Sequence, residues 1–162
     1  MGMSELRDFI TKLGFSDVKS LLQSGNLIFK GKATTPLSLE HKLETAVEKQ
    51  LGLRTIFLVR TAAEWREIVE QNPFPEFAKQ DPSHFVLMPL KDPPTPESVK
   101  ALQAAIKGRE TVKVRGREAY FTYPDGIGNS RLTIAIIEKN LGTQGTGRNW
   151  NTVLKLAALT SA

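Results

Sequence analysis

The sequence predicts an α+β protein built from two tandem ferredoxin-like halves, and three observations lead there. Helical stripes alternate with short β-rich runs along the chain. A proline-bearing stretch without periodicity, 72–83, divides it. The order of elements before that stretch resembles the order after it. The halves are read as 1–71 and 84–162, with 72–83 as a linker, a size that suits two very small domains or one of ordinary length.

In the first half, Leu6, Phe9, Ile10 and Leu13 recur at helical spacing and Gly14 supplies the stop. Residues 17–22 and 27–30 read as strands on either side of the turn-forming cluster Ser24-Gly25-Asn26. Thr35-Pro36 is a cap followed by proline at the first helical position. It opens the stripe Leu39, Leu43, Val47, Leu51, which closes at Gly52. Residues 53–60 carry the run Ile56-Phe57-Leu58-Val59 and read as a buried strand. Thr61-Ala62-Ala63-Glu64 is a capping box, with Trp65, Ile68 and Val69 forming the apolar face behind it.

In the second half, 85–88 is an apolar strand, and Thr95-Pro96 repeats the cap-then-proline device ahead of Val99, Leu102, Ile106 and a closing Gly108. Residues 111–115 and 118–123 form a hairpin around Arg115-Gly116-Arg117. A helix follows over 132–141, closed by Gly142. Trp150, Val153, Leu154 and Ala157 mark a last amphipathic helix. Each half is part of a β-α-β-β-α-β unit. Gly14 aligns with Gly108 at an offset of 94, and Gly52 with Gly142 at an offset of 90.

The first half lacks an opening strand, and the second lacks a closing one unless 143–148 supplies it. In this topology the opening strand lies inside the sheet, so its omission would leave rows of backbone donors and acceptors unmatched. The position is expected to be filled by an upstream segment, by the other half, or by a second copy in a homodimer.

Composition narrows the chemistry. Hydrophobic residues make up 40% and charged residues 24%, ordinary globular usage. With no Cys, disulfides, thiol nucleophiles and cysteine-ligated metals are excluded. His41 and His84 lie in different segments without ligand-spaced neighbours, so neither a metal nor a cofactor is expected. No apolar run approaches the roughly 20 residues that span a bilayer. The first five residues are polar, so the reading is a cytoplasmic protein with no membrane partner. The net charge of +5 is unevenly placed: residues 107–162 hold nine Lys and Arg against four acids, whereas the remainder is neutral. A basic half favours an anionic partner.

Three segments could carry a site. In 142–150, Gly142, Gly145 and Gly147 lead into a helix near Asn149, where backbone N–H groups and the helix dipole favour an anion. Arg148 could add a guanidinium fork, and Thr146 a hydroxyl. No Gly-Lys-Ser/Thr ends the loop, so it is not a Walker A motif. In 123–131, Gly128, Ser130 and Arg131 repeat the pattern of a glycine-rich helix entry with an arginine. In 23–26, Ser24 and Asn26 offer a hydroxyl and an amide; the same residues also read as a tight hairpin turn. Tyr120, Phe121 and Tyr123 beside Arg115 and Arg117 suggest an RNA-stacking platform, but a charge occupies an aromatic position of the usual pattern; Phe121 and Tyr123 share one face and core packing accounts for that pair more simply, while Tyr120 takes the other face.

Leu13-Gly14-Phe15 with Val18, Gln23-Ser24-Gly25-Asn26, Asn72-Pro73-Phe74 and 146–152 together resemble the bacterial family catalogued as domain of unknown function 1697. The resemblance implies a duplicated ferredoxin-like architecture in a cytosolic bacterial protein, and it implies no reaction. Members open with a strand leading into an Arg-Gly-Ile-Asn-Val-Gly-Gly type loop. This chain has no such segment and is expected to start where that loop would end, near Met3.

The functional expectation is a non-catalytic binding module for an anionic ligand, either nucleic acid or a phosphorylated metabolite. Its candidate residues are Arg148, Asn149, Thr146, Gly147, Arg131, Ser130, Gly128, Asn26 and Ser24. Two readings of other classes stay open: an enzyme acting on a small phosphorylated or nucleotide-like substrate, and a structural or oligomerisation unit. No Ser–His–Asp set or paired-carboxylate site stands out, so no residue is assigned a catalytic role.

Overall fold

The computed structural model describes residues 2–21, 25–31 and 35–160. Among them the chain is α+β, with seven α-helices and two antiparallel sheets. It divides into two compact units, 1–62 with 156–162, and 63–155. No helix among the described residues is long and apolar enough to cross a membrane.

The first unit contains α1 (Met3–Lys12), β1 (Ser16–Leu21), β2 (Asn26–Lys30) and α2 (Pro36–Leu51). The strands form a hairpin in which Lys19 faces Ile28 and Leu21 faces Asn26. Helix α2 starts where Thr35 Oγ1 accepts the Ser38 N–H at 3.2 Å. It ends where Gly52, at φ 67°, donates its N–H to the Glu48 carbonyl at 3.0 Å. That left-handed position carries little strain only for a residue without Cβ. The helical stripes meet in a core of Phe9, Ile10, Phe15, Leu39, Leu43 and Val47, with Phe15 edge-on to Phe29 at 4.9 Å.

The strand expected at 53–60 is not formed. Phe57 and Val59 do pack against this core, as the apolar run predicts. Their backbone N–H groups, however, go to carboxylates of α2 and not to a neighbouring strand: Phe57 to Glu44 Oε2 and Val59 to Glu40 Oε2, both at 2.8 Å. Glu40 is fully buried and pairs with Arg60 at 3.5 Å, whose side chain is 3% exposed. Side-chain carboxylates thus do locally what a sheet ladder does elsewhere, satisfying donors that burial would otherwise make costly.

The second unit contains most of α3 (Ala62–Glu70), then α4 (Pro75–Gln80), a 3-10 turn at Pro82–His84, and β3 (Phe85–Pro89). It continues through α5 (Pro96–Ala105), β4 (Thr111–Arg115), β5 (Glu118–Thr122), α6 (Ile134–Leu141), β6 (Arg148–Asn149) and the start of α7 (Trp150–Thr160). The strand order is β4-β5-β3-β6 and every neighbouring pair is antiparallel. The closing strand is short: Arg148 faces Leu87 and Asn149 faces Val86, with a further bridge from Gly145 to Leu90. The segment 72–83, read as a linker, holds α4 and the turn. Its Phe74 and Phe77 pack edge-on to Phe85 at 6.0 and 6.1 Å.

Alternation along the strands splits the side chains between two faces. Met88, Leu90, Val112, Ala119, Phe121 and Tyr123 join Leu102, Leu132, Ile137 and Leu141 in one core, which buries α5 and α6 on the sheet. Phe85 and Tyr120 stack on the other face at 6.3 Å, with Trp150 4.8 Å from Phe85. Trp65 Nε1–H closes that side by donating to the Val153 carbonyl at 3.0 Å.

Tyr120 and Tyr123 are the chain's two tyrosines, and both are buried. Their hydroxyls donate to the Ile68 carbonyl at 2.8 Å and the Leu132 carbonyl at 3.2 Å. Burial pushes both phenols up to about 12, helped by Glu118 beside Tyr120 and Glu110 beside Tyr123. A raised phenol favours folding fully below the ordinary tyrosine value near 10. That contribution is lost as pH rises from there through the folded value. Phenolate absorbance should therefore show no transition near pH 10 in the folded protein. Ionisation of either tyrosine at its ordinary value, with the fold intact, would contradict the burial described.

Candidate functional site

The residues singled out in the sequence separate in space. Thr146, Gly147, Arg148 and Asn149 belong to the β6 edge of the second sheet. Gly145 donates its N–H to Glu138 Oε2 at 3.1 Å, and a Cβ there would stand 2.6 Å from the Pro89 carbonyl oxygen. At Gly147 a Cβ would press on Val86 at 3.2 Å. These glycines let 144–149 lie tightly along β3. Arg148 Nη1 donates to Thr146 Oγ1 at 2.7 Å and to the Gly147 carbonyl at 2.9 Å. The side chain is half-buried, and that desolvation lowers its pKa. Asn149 Oδ1 accepts the Asn151 N–H at 2.9 Å, a helix cap for α7, and Nδ2 donates to the Ser83 carbonyl at 2.8 Å.

In the first unit, Asn26 is buried at the start of β2 and donates to the Leu21 carbonyl at 3.3 Å across the hairpin end. Ser24 lies outside the described residues. Gly25 takes φ 83°, in keeping with a tight turn.

The segment around Gly128, Ser130 and Arg131 is different. Thr111 faces Thr122 in the β4–β5 ladder, so the loop ahead of β4 runs beside the loop that follows β5. Between them is a cleft of about 230 Å³ lined by Lys107, Gly108, Glu110, Asp125, Gly126, Asn129, Ser130 and Arg131. Its walls are tied by side chains. Arg109 clasps Asp125 with Nε at 2.9 Å and with Nη2, a bidentate fork. That hydrogen bond holds the Asp125 carboxyl below its usual range. Ser130 Oγ donates to Glu110 Oε1 at 2.6 Å and accepts the Leu132 N–H at 3.0 Å. Tyr123 braces the same loop from below through Leu132.

Two lining cations, Lys107 and Arg131, are exposed, and among the described residues neither makes an ion pair. Asp125 is matched by Arg109, so these two cations face the single carboxylate of Glu110. The cleft is therefore net positive, with amide and hydroxyl groups from Asn129 and Ser130 at hand. Lys107, Glu110 and Asp125 escaped the sequence reading. The signal for them was present: a hairpin turning at Gly116 fixes 111 opposite 122 and so juxtaposes 107–110 with 123–126.

Among the described residues no group of three or more His, Asp or Glu could hold a metal ion. Tyr120, Phe121 and Tyr123 are at most 4% exposed, so none offers a face on which a base could stack.

Three comparisons bear on this architecture. The family described as "Protein of unknown function (DUF1697)" matches residues 1–120. Nothing among the curated proteins matches the chain. Among solved structures, a conserved bacterial protein from Streptococcus pneumoniae superposes with a TM-score of 0.76 at 18% identity, covering 99% of this chain and 89% of that one. At that identity the likeness is one of fold.

Proposed function

The chain belongs to the family described as "Protein of unknown function (DUF1697)", and from that premise we propose that it is a binding module for a small phosphorylated metabolite held in the 107–131 cleft. The observation that carries this reading is the convergence of Lys107 and Arg131 on a cleft whose Asp125 is already matched. A phosphate dianion there meets a guanidinium and an ammonium together with the Asn129 amide. The volume suits a small molecule better than a strand of nucleic acid, and the burial of the sheet aromatics points the same way.

The architecture behind the site reads as two ferredoxin-like copies. Unit 2 has the β-α-β-β-α-β order. Both units contain helix, hairpin, helix in sequence. Both α2 and α6 open on a Thr cap and close on a left-handed glycine, Gly52 and Gly142.

Titration calorimetry with propyl phosphate at low salt tests the binding. Lys107→Ala and Arg131→Ala should each weaken it about tenfold, the usual worth of a charge-assisted hydrogen bond. Arg148→Ala, if it folds, should change it little, because that side chain is engaged within β6. Wild-type affinity in both cleft variants, or no binding to the parent protein, would remove the proposal.

A further inference from the structure

The cleft contains one group that an anion alone does not explain. Glu110 Oε1 is matched by Ser130, but Oε2 is shielded from solvent and has no hydrogen-bond partner among the described residues. A buried carboxylate oxygen without a donor is costly, and such groups mark places where a donor belongs. The neighbouring backbone shows where one could enter. Gly108 also lines the cleft, and a Cβ at that position would run into Oε2 and Oε1, the latter at 3.1 Å. With glycine at 108, no side chain occupies the place beside Oε2 that a donor has to take.

Lys107 and Arg131 stand on the same cleft, so one small ligand can meet the cations and the carboxylate together. We propose that the cleft selects a phosphomonoester that also carries an ammonium group, with Glu110 Oε2 accepting from the ammonium while Lys107 and Arg131 hold the phosphate. This rests on the anion reading above and narrows it to a substrate class. Positive charge on the ligand is favoured over a neutral hydroxyl because a hydrogen bond between two ionised groups is the stronger in a partly desolvated site. Binding then also matches the one cleft carboxylate that, among the described residues, makes no ion pair.

The test compares 3-aminopropyl phosphate with propyl phosphate, which share a phosphomonoester and differ in the ammonium. The folded parent protein should bind the amino compound about tenfold more tightly, in line with a charge-assisted contact. Glu110→Gln should abolish that preference, because the amide that replaces the carboxylate carries no charge for the ammonium to meet. Gly108→Ala, which places a methyl group against the carboxylate, should reduce the preference by a separate route. Equal affinities in the parent protein, or a preference that survives Glu110→Gln, would overturn the inference. Failure of propyl phosphate itself to bind would instead remove the anion reading beneath it, so the two failures are distinguishable.

Discussion

Glu40→Ala should destabilise the first unit by about 3–5 kcal/mol, the usual cost of removing one member of a buried ion pair. Set against a typical total of about 5–15 kcal/mol, that is enough to leave the unit marginal. Glu40 is fully buried and the Arg60 side chain nearly so. Truncation at 40 removes a carboxylate partner of a desolvated guanidinium and the acceptor of the Val59 N–H at once. Amide exchange separates the two losses. Val59 should lose protection first, while Phe57, bonded to Glu44, should keep more of its own. Glu40→Leu combined with Arg60→Met should recover the part of the loss due to the unpaired charge, because a matched apolar pair leaves no buried charge behind, but not the part due to the Val59 N–H, which still lacks its acceptor. Unchanged protection at Val59 in Glu40→Ala would show that the carboxylate does not hold this segment.

The same residues explain where the sequence was misleading. Residues 53–60 carry every local mark of a strand, an apolar β-branched run bounded by Gly52 and Thr61. Local pattern reports which side chains want burial, and Phe57 and Val59 are indeed packed on the core. It does not report which acceptor a backbone N–H will find. That is decided by Glu40 and Glu44, one helical turn apart on α2 and more than ten residues away along the chain. By contrast, the helix ends at Gly52 and Gly142 and the caps at Thr35 and Thr95 are local devices that local reading finds, whereas the helix read from Leu132 starts at Ile134 behind a Thr133 cap.

The candidate site divides along the same line. Glycine-rich entries to helices at 128–131 and 142–150 look alike in sequence. In the fold, Gly145 and Gly147 serve close packing on β3, whereas Gly128 has no atom near enough to press on a Cβ and precedes an exposed Arg131. Glycine is common to both segments, but only in the second does close tertiary packing demand it. Lys107, Glu110 and Asp125 became visible only through strand register, a non-local property that the hairpin at 115–118 encodes.

Phe85→Ala should destabilise the second unit by about 3–5 kcal/mol, the range for removing a large aromatic from a packed core. Phe85 is fully buried and is the ring on which four others converge: Phe74, Phe77, Tyr120 and Trp150. Those rings come from the segment ahead of β3, from β5 and from the start of α7, so one truncation loosens three attachments of the sheet. The cavity left behind cannot close cheaply, because the surrounding rings are tied by other bonds, Tyr120 to Ile68 among them. Both tryptophans, Trp65 and Trp150, lie in this unit, so fluorescence in a urea titration reports it directly. The midpoint should fall sharply in Phe85→Ala and only modestly in Phe85→Leu, which keeps most of the buried volume. If the alanine variant melts with the parent protein, Phe85 is not the centre of that face, and the packing of α4 and α7 on the sheet must be held by other contacts.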